Sequence, residues 1–411
     1  MDFGNLASNK YWIPYIYARP HYIIVATPFG SQHVPLPLED FLVAVAFTVL
    51  SSLVVLYLLC PRRYCCCCCC CNRKCTRTSQ KNKPLPRPVL IITDIGRDID
   101  DTLAFLTLQG LLQQHKAQLV GVVTSGGQGE QRARVVRRWL RRFGLRDEDV
   151  PIAFCTQQGQ SECYLPKDTP LASDASLSSL HPGDLILATI EKYGGALEIV
   201  ALAPLTPLAQ AMQRKKKGQS CLATVQQGIK MLHIQGNCSV DPISQRLMPD
   251  YASFNLREDV EASKVVFEKL QDFVPFRLVG KHAAYQVSLG HSDFAAMDQL
   301  LGSTDMMDGV RENVSKFRQH NPVQFRQVYG TTVDQEQEQE DDGTWFEKMT
   351  TLSHPYDPLC VVAAFHPTLF RAKKMTTLHR AIGNTKESVG VINPIETKKV
   401  LLGLIRKGLT V

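Results

Sequence analysis

Four aspartates fall within eight residues of this chain: Asp94, Asp98, Asp100 and Asp101. They follow Val89-Leu90-Ile91-Ile92, a branched apolar run without polar alternation. Such a run predicts a strand buried on both faces of a parallel sheet. It stops at Thr93-Asp94, Gly96 permits a tight turn, and Asp100-Asp101 stand where a helix should begin. Neighbouring carboxylates about 4 Å apart repel by roughly 4 kcal/mol near a protein surface. A divalent cation with oxygen ligands relieves that repulsion most directly. The position, beyond the C-terminal end of a strand in an open α/β sheet, is where such folds keep their ligand sites. The chemistry predicted is a metal site.

The elements that must hold these acids alternate from Pro88 onward. Val89–Ile92, Ala117–Thr124, Pro151–Phe154, Ala196–Leu202, Lys230–Ile234 and Phe276–Val279 read as strands. Thr102–His115, Gln128–Phe143, Leu205–Gln213 and Asp259–Leu270 read as helices, the second of them basic and amphipathic. This βαβ order predicts an α/β fold with a doubly wound, mostly parallel sheet. The stretch Asp334–Asp342 reads as a solvated acidic loop without chemistry.

The 411 residues are 44% hydrophobic and 21% charged, which are globular values. The net charge of +7 is unevenly placed. Arg62, Arg63, Arg73, Lys74, Arg77, Lys81, Lys83 and Arg87 lie between positions 61 and 87 with no acid among them. The remainder is therefore close to neutral, which argues against a nucleic-acid partner. Just before this basic segment, Phe41–Cys60 runs twenty residues without a charge. That length predicts one N-terminal transmembrane helix, too long and too far from residue 1 for a cleaved signal peptide. Only Lys10 and Arg19 precede it, so the positive-inside rule predicts a single-pass membrane protein with its catalytic domain in the cytoplasm. The uninterrupted run Cys65, Cys66, Cys67, Cys68, Cys69, Cys70 and Cys71 beside these basic residues reads as a juxtamembrane lipidation site. A soft-metal tract and a low-complexity stretch without a role are the competing readings. The division expected is an exoplasmic tail over 1–40, the span over 41–60, a basic linker over 61–87 and the α/β domain over 88–411.

Several motifs together resemble the inosine-uridine preferring nucleoside hydrolase family. That family opens with a buried strand ending in Thr-Asp-Pro-Gly-x-Asp-Asp. Thr93-Asp94-Ile95-Gly96 and Ile99-Asp100-Asp101 fit it if Arg97-Asp98 is a two-residue insertion. Val200-Ala201-Leu202-Ala203-Pro204-Leu205-Thr206 resembles the family's Gly-Pro-Leu-Thr-Asn strand end. Ala252-Ser253-Phe254-Asn255 resembles Ala-Glu-Phe-Asn, and Tyr356-Asp357-Pro358-Leu359 resembles His-Asp-Pro-Leu. The resemblance implies a Ca²⁺-dependent N-ribohydrolase acting on nucleosides. Cleaving an N-glycosidic bond passes through an oxocarbenium-like state and needs an activated water. By the resemblance, Asp94 binds the metal and acts as base. Asp101 and Asp357 are metal ligands, as is Leu202 through its carbonyl. Asp100 and Asn255 bind ribose.

The departures from the family pattern concern the substrate more than the metal. Tyr356 stands where many members have the His that protonates the departing base, and a phenol of pKa about 10 suits neutral pH less well. Help for the leaving group can come from Tyr356, from His354 or from elsewhere. Ser253 replaces a Glu that contacts ribose in the family, and Gly126-Gly127 lacks its Asn.

Plainer readings stand beside these. Asp100 or Asp101 taken singly is an N-cap or a first-turn acid favoured by the helix dipole. Asp357 before Pro358 is a turn residue, Asn255 a helix cap and Asp98 a loop acid. A membrane-tethered pseudoenzyme that binds Ca²⁺ or nucleoside without turnover is one alternative function. A phosphatase of the haloacid-dehalogenase type, using Asp98-Ile99-Asp100-Asp101-Thr102, is another. The partners expected are a small-molecule nucleoside and a membrane, with self-association left open.

Overall fold

A computed structural model describes residues 16–19, 22–27, 30–35, 84–146, 148–156, 163, 180–301, 319, 354–383 and 390–410. The chain divides into two units, residues 1–81 and 82–411. In the first, Ile16–Arg19, Tyr22–Thr27 and Gly30–Pro35 form a three-stranded antiparallel sheet. The sequence predicts a short exoplasmic tail here and no strands, although Tyr22-Ile23-Ile24-Val25 has the β-branched and aromatic content of a strand. The expected single-pass membrane placement is corrected: no helix among the described residues is long and apolar enough to cross a membrane. The apolar run 41–60 and the cysteine run 65–71 both lie outside the described residues.

The second unit is built on an eight-stranded sheet. Its strands are β1 (Arg87–Thr93), β2 (Ala117–Thr124), β3 (Ile152–Phe154), β4 (Leu197–Ala201), β5 (Ile229–Gln235), β6 (Phe276–Val279), β7 (Lys373–Lys374) and β8 (Arg380–Ile382). The spatial order is β7-β8-β6-β5-β4-β1-β2-β3. Every neighbouring pair is parallel except β7 with β8. The chain winds outward from β1 through β2 to β3, then returns to the other side of β1 with β4. That reversal opens a crevice beyond the C-terminal ends of β1 and β4.

The apolar run of β1 alternates between two cores. Val89 and Ile91 belong to one and Leu90 and Ile92 to the other, which is why no polar position interrupts it. The first core is shared with α1 (Asp100–Gln113), α2 (Gly129–Arg142), α8 (Tyr356–Phe365) and α9 (Pro394–Leu409). The second is shared with α3 (Pro182–Tyr193), α4 (Thr206–Gln213) and α6 (Val260–Leu270). Two short helices, α5 (Phe254–Glu258) and α7 (Lys281–Tyr285), follow β5 and β6. Helices α1 and α9 cross closely: a Cβ added at Gly110 would strike the Leu404 carbonyl, and one at Gly408 the Leu106 carbonyl.

At the opposite ends of the strands lies a charged anchor for α8. Glu198 of β4 is buried beside His233 Nε2 at 3.1 Å, Lys230 Nζ at 3.1 Å and Arg87 Nη1 at 3.5 Å. Arg87 and Arg277 donate to the carbonyls of Ala364 and Ala363 at 2.7 and 2.8 Å, at the end of α8 where the helix dipole favours cations. Burial alone would raise the Glu198 pKa, but His233, Arg87 and Lys230 outweigh it and hold the carboxyl at about 2. His233 is itself pushed down by burial, so near pH 7 it offers Glu198 a neutral N–H while Arg87 and Lys230 supply the charge. A depressed carboxyl pKa stabilises the fold above its unfolded value, and that stability is lost as pH falls through the folded value. The wild-type chain should therefore lose stability relative to Glu198→Gln between about pH 4.5 and about pH 2. Denaturant melts across that range check this, and parallel curves for the two proteins would refute it.

Candidate active site

Asp94 leaves β1 at the switch crevice and is buried, as are Asp101 in the first turn of α1 and Asp357 in the first turn of α8. Asp100 is half-buried. Neither Asp100 nor Asp101 is a helix cap, because Ile99 occupies the cap position of α1. The Thr93 hydroxyl donates to Asp101 Oδ1 at 2.5 Å. The Asp357 amide donates to Asp100 Oδ2 at 3.0 Å, which joins two segments 257 residues apart in sequence. The remaining Asp100 oxygen, Oδ1, is buried without a hydrogen-bond partner in the protein.

These acids raise one another's pKa. Burial pushes Asp100, Asp101 and Asp357 well above the usual carboxylate range, and repulsion among the neighbouring aspartates adds to it. Asp94 is raised to about 6, by burial and Asp98, against the opposing pull of Arg132 and Arg97. Among the described residues, no three His, Cys, Asp or Glu side chains are already close enough to hold a metal ion. The acids are near enough to repel one another.

The sequence reading of α2 as a basic amphipathic helix does not single out Arg132. It is fully buried. Its guanidinium donates to the carbonyls of Asp94, Ile95 (3.0 Å), Gly126 (3.3 Å) and Gly127 (2.7 Å). One side chain therefore ties the β1 loop to the β2 loop and holds a positive charge behind Asp94. Helical spacing could have revealed it, since Arg132, Val136 and Leu140 share one buried stripe.

Leu202 and Asn255 also reach the crevice. Asn255 is buried inside α5, not at its cap, and its Nδ2 donates to the Leu202 carbonyl at 2.7 Å and to Gln235 Oε1 at 2.8 Å. Both amide protons are thereby used, and its Oδ1 is the atom available to a ligand hydroxyl. Ser253 accepts the Asn237 amide at 2.8 Å through its hydroxyl. Asp98 lies beyond the end of β1 and accepts the Asp100 amide at 3.1 Å. A phosphatase nucleophile would instead stand directly at the strand end.

A ring cluster flanks the acids. Tyr285 meets His354 and Tyr356 edge-on, with centroids 4.7 and 6.1 Å away, and His354 lies 6.2 Å from Tyr356. Burial, and then Tyr285, raise the Tyr356 hydroxyl far above the usual phenol value. Burial lowers the His354 pKa, against a hydrogen bond to the Ala284 backbone that raises it. His354 Nδ1 is buried with no partner in the protein.

The family model for inosine-uridine preferring nucleoside hydrolases matches residues 89–399. This chain belongs to that family. The family assignment places it among the hydrolases of N-glycosidic bonds. No protein of curated function matches its sequence. Among solved structures, the type III effector XopQ complexed with adenosine diphosphate ribose is 19% identical with a TM-score of 0.60, over 80% of this chain and 94% of that one. The plant nucleoside hydrolase PpNRh1 is 18% identical with a TM-score of 0.51, over 79% and 99%. The purine-preferring ribonucleoside hydrolase of Gardnerella vaginalis is 16% identical with a TM-score of 0.52, also over 79% and 99%. At such identities these likenesses show the shared fold, a nucleoside hydrolase-like α/β domain.

The β2 loop bears directly on Asp94. Gly126 has φ +82°, and a Cβ there would stand 3.0 Å from Asp94 Cβ. Gly126→Ala should cost about 1–3 kcal/mol through its left-handed backbone conformation, with the carboxylate displaced besides. Denaturant unfolding of the two proteins measures this, and coincident midpoints would refute the contact.

Proposed function

We propose that this chain hydrolyses the N-glycosidic bond of ribosyl substrates, releasing the base, with a divalent cation held at the switch crevice. The observation that carries this reading is the group of mutually repelling aspartates 94, 100, 101 and 357, all but the half-buried Asp100 withdrawn from water, inside a domain of nucleoside hydrolase type. The donors are all oxygens, and one buried Asp100 oxygen lacks any protein partner, so the residues present fit a hard cation. Ca²⁺ suits such a set best, because it tolerates irregular geometry and several carboxylates. Asp94, Asp101, Asp357 and the Leu202 carbonyl would hold it. When bound, the ion would lower the pKa of a water and orient ribose hydroxyls.

The protein's own groups supply the remaining steps. Asp94 takes the proton of the attacking water, with Arg132 fixing the loop that carries it. Asp100 accepts a ribose hydroxyl through Oδ1, and Asn255 Oδ1 accepts another. The cluster of Tyr285, His354 and Tyr356 stacks against the departing base. Tyr356 remains a neutral hydrogen-bond donor. His354 would serve as the acid for the leaving nitrogen in its imidazolium form, giving up the Nδ1 proton, and burial holds that form to a minority near pH 7. The ligand is a nucleoside or a related ribosyl compound, a class consistent with the adenosine diphosphate ribose held by the similarly folded XopQ.

Incubating the purified full chain with Ca²⁺ and a panel of nucleosides should release free ribose. Asp94→Asn or chelator should abolish the release. Ca²⁺ binding without ribose from any nucleoside would instead favour ligand capture without turnover. For the leaving group, His354→Ala should lower hydrolysis of inosine by about 10²–10⁴. The same variant should lose far less on p-nitrophenyl riboside, whose phenolate departs unaided. Equal losses on both substrates would mark His354 as structural.

A further inference from the structure

The ribose end of the crevice carries two positive charges that the hydrolysis reading does not use. Phe254 immediately precedes Asn255, the residue assigned to ribose, in α5. The Arg97 guanidinium lies over its ring at 4.6 Å from the centroid, and the Arg257 guanidinium at 5.7 Å. Arg97 belongs to the two residues inserted into the Asp94 loop, and its charge is felt at Asp94. Arg257 is exposed one helical turn beyond Phe254. Two cations held against one aromatic ring place positive charge beside the ribose position.

The neighbouring substitution acts in the same direction. Ser253 stands where the family pattern has a Glu, so a negative charge is missing there. The serine hydroxyl accepts the Asn237 amide and leaves the sugar one strong acceptor short. A lip short of an acceptor and carrying two guanidinium groups is badly matched to a neutral hydroxymethyl group. It is well matched to an anion. Stacking engages the flat face of a guanidinium, whereas a phosphate is bound at its edge by a fork of N–H donors. Both contacts are compatible in one side chain.

We propose that Arg97 and Arg257, braced on Phe254, recognise a phosphoryl group on the ribose, so that the preferred ligand is a ribosyl 5′-phosphate or 5′-diphosphate compound in place of a free nucleoside. This rests on the assignment of the crevice as a ribosyl site. It adds the charge of the substrate, which that assignment leaves open. A nucleoside monophosphate and adenosine diphosphate ribose share the chemistry, since each ribose in either carries a 5′-phosphoryl oxygen.

Calorimetric titration of the full chain with adenosine, adenosine 5′-monophosphate and adenosine diphosphate ribose, each with Ca²⁺ present, tests the proposal. The phosphorylated ligands should bind at least about tenfold more tightly than adenosine. That ratio should collapse towards one in Arg97→Ala and in Arg257→Ala, the latter an exposed position where folding is not at stake. Tighter binding of the monophosphate than of the diphosphate ribose, or the reverse, distinguishes the two sources. Equal or weaker binding of both phosphorylated ligands, with adenosine bound, overturns the proposal and leaves the ribosyl assignment standing. A preference that neither arginine variant alters overturns it equally. If none of the three ligands binds, the ribosyl assignment fails, and this inference fails with it.

Discussion

Repulsion among buried carboxylates is the constraint around which the α/β unit is arranged. Asp94, Asp101 and Asp357 are withdrawn from water at one end of the sheet, where each makes ionisation of the others harder. A fold optimised for stability alone would not gather them. Their cost is met by neighbours that aim donors at them: the Thr93 hydroxyl at Asp101, the Asp357 amide at Asp100, and Arg132 behind Asp94. The parallel sheet supplies the rigidity that keeps these groups from relaxing apart. Its switch between β1 and β4 creates the only kind of place in such a fold where strand ends from both halves face one cavity.

The support extends through the length of the elements. Helix α8 offers Asp357 at one end, while its other end is tied to β1 and β6 by Arg87 and Arg277. The same Arg87 neutralises Glu198, so the far charged cluster and the acidic crevice are linked through two rigid bodies, a strand and a helix. Helix α1, bearing Asp100 and Asp101, is held from outside by α9 at a crossing close enough to require glycine on both sides. The acids are therefore fixed by backbone elements more than by contacts among their own side chains.

What could be read from the residues follows from how local each signal was. Strand β1 was legible because Val89 and Ile91 enter one core and Leu90 and Ile92 the other, leaving no position for a polar residue. Helices α1, α2, α4 and α6 begin and end within two residues of where periodicity puts them. Arg132 and Glu198 were invisible for one shared reason: a charged residue reads as solvated until its partners, here backbone carbonyls for one and two distant cations with a neutral histidine for the other, are known. The antiparallel sheet of residues 16–35 was passed over because scattered prolines and tyrosines suggested a tail. The meeting of Asp357 with Asp100 has no local signature at all, and only the family pattern pointed to it.

That meeting has a kinetic side. The hydrogen bond between the Asp357 amide and Asp100 closes a loop of 257 residues, among the most non-local contacts in the domain. Contacts of such sequence separation form late, because the entropy of a long loop must be lost before they return any energy. Until then α1 carries an acidic tip that faces solvent, kept apart from its eventual neighbours by charge. Assembly of the crevice is thus expected among the late events of folding, together with the docking of α8 on β1 and of α9 on α1.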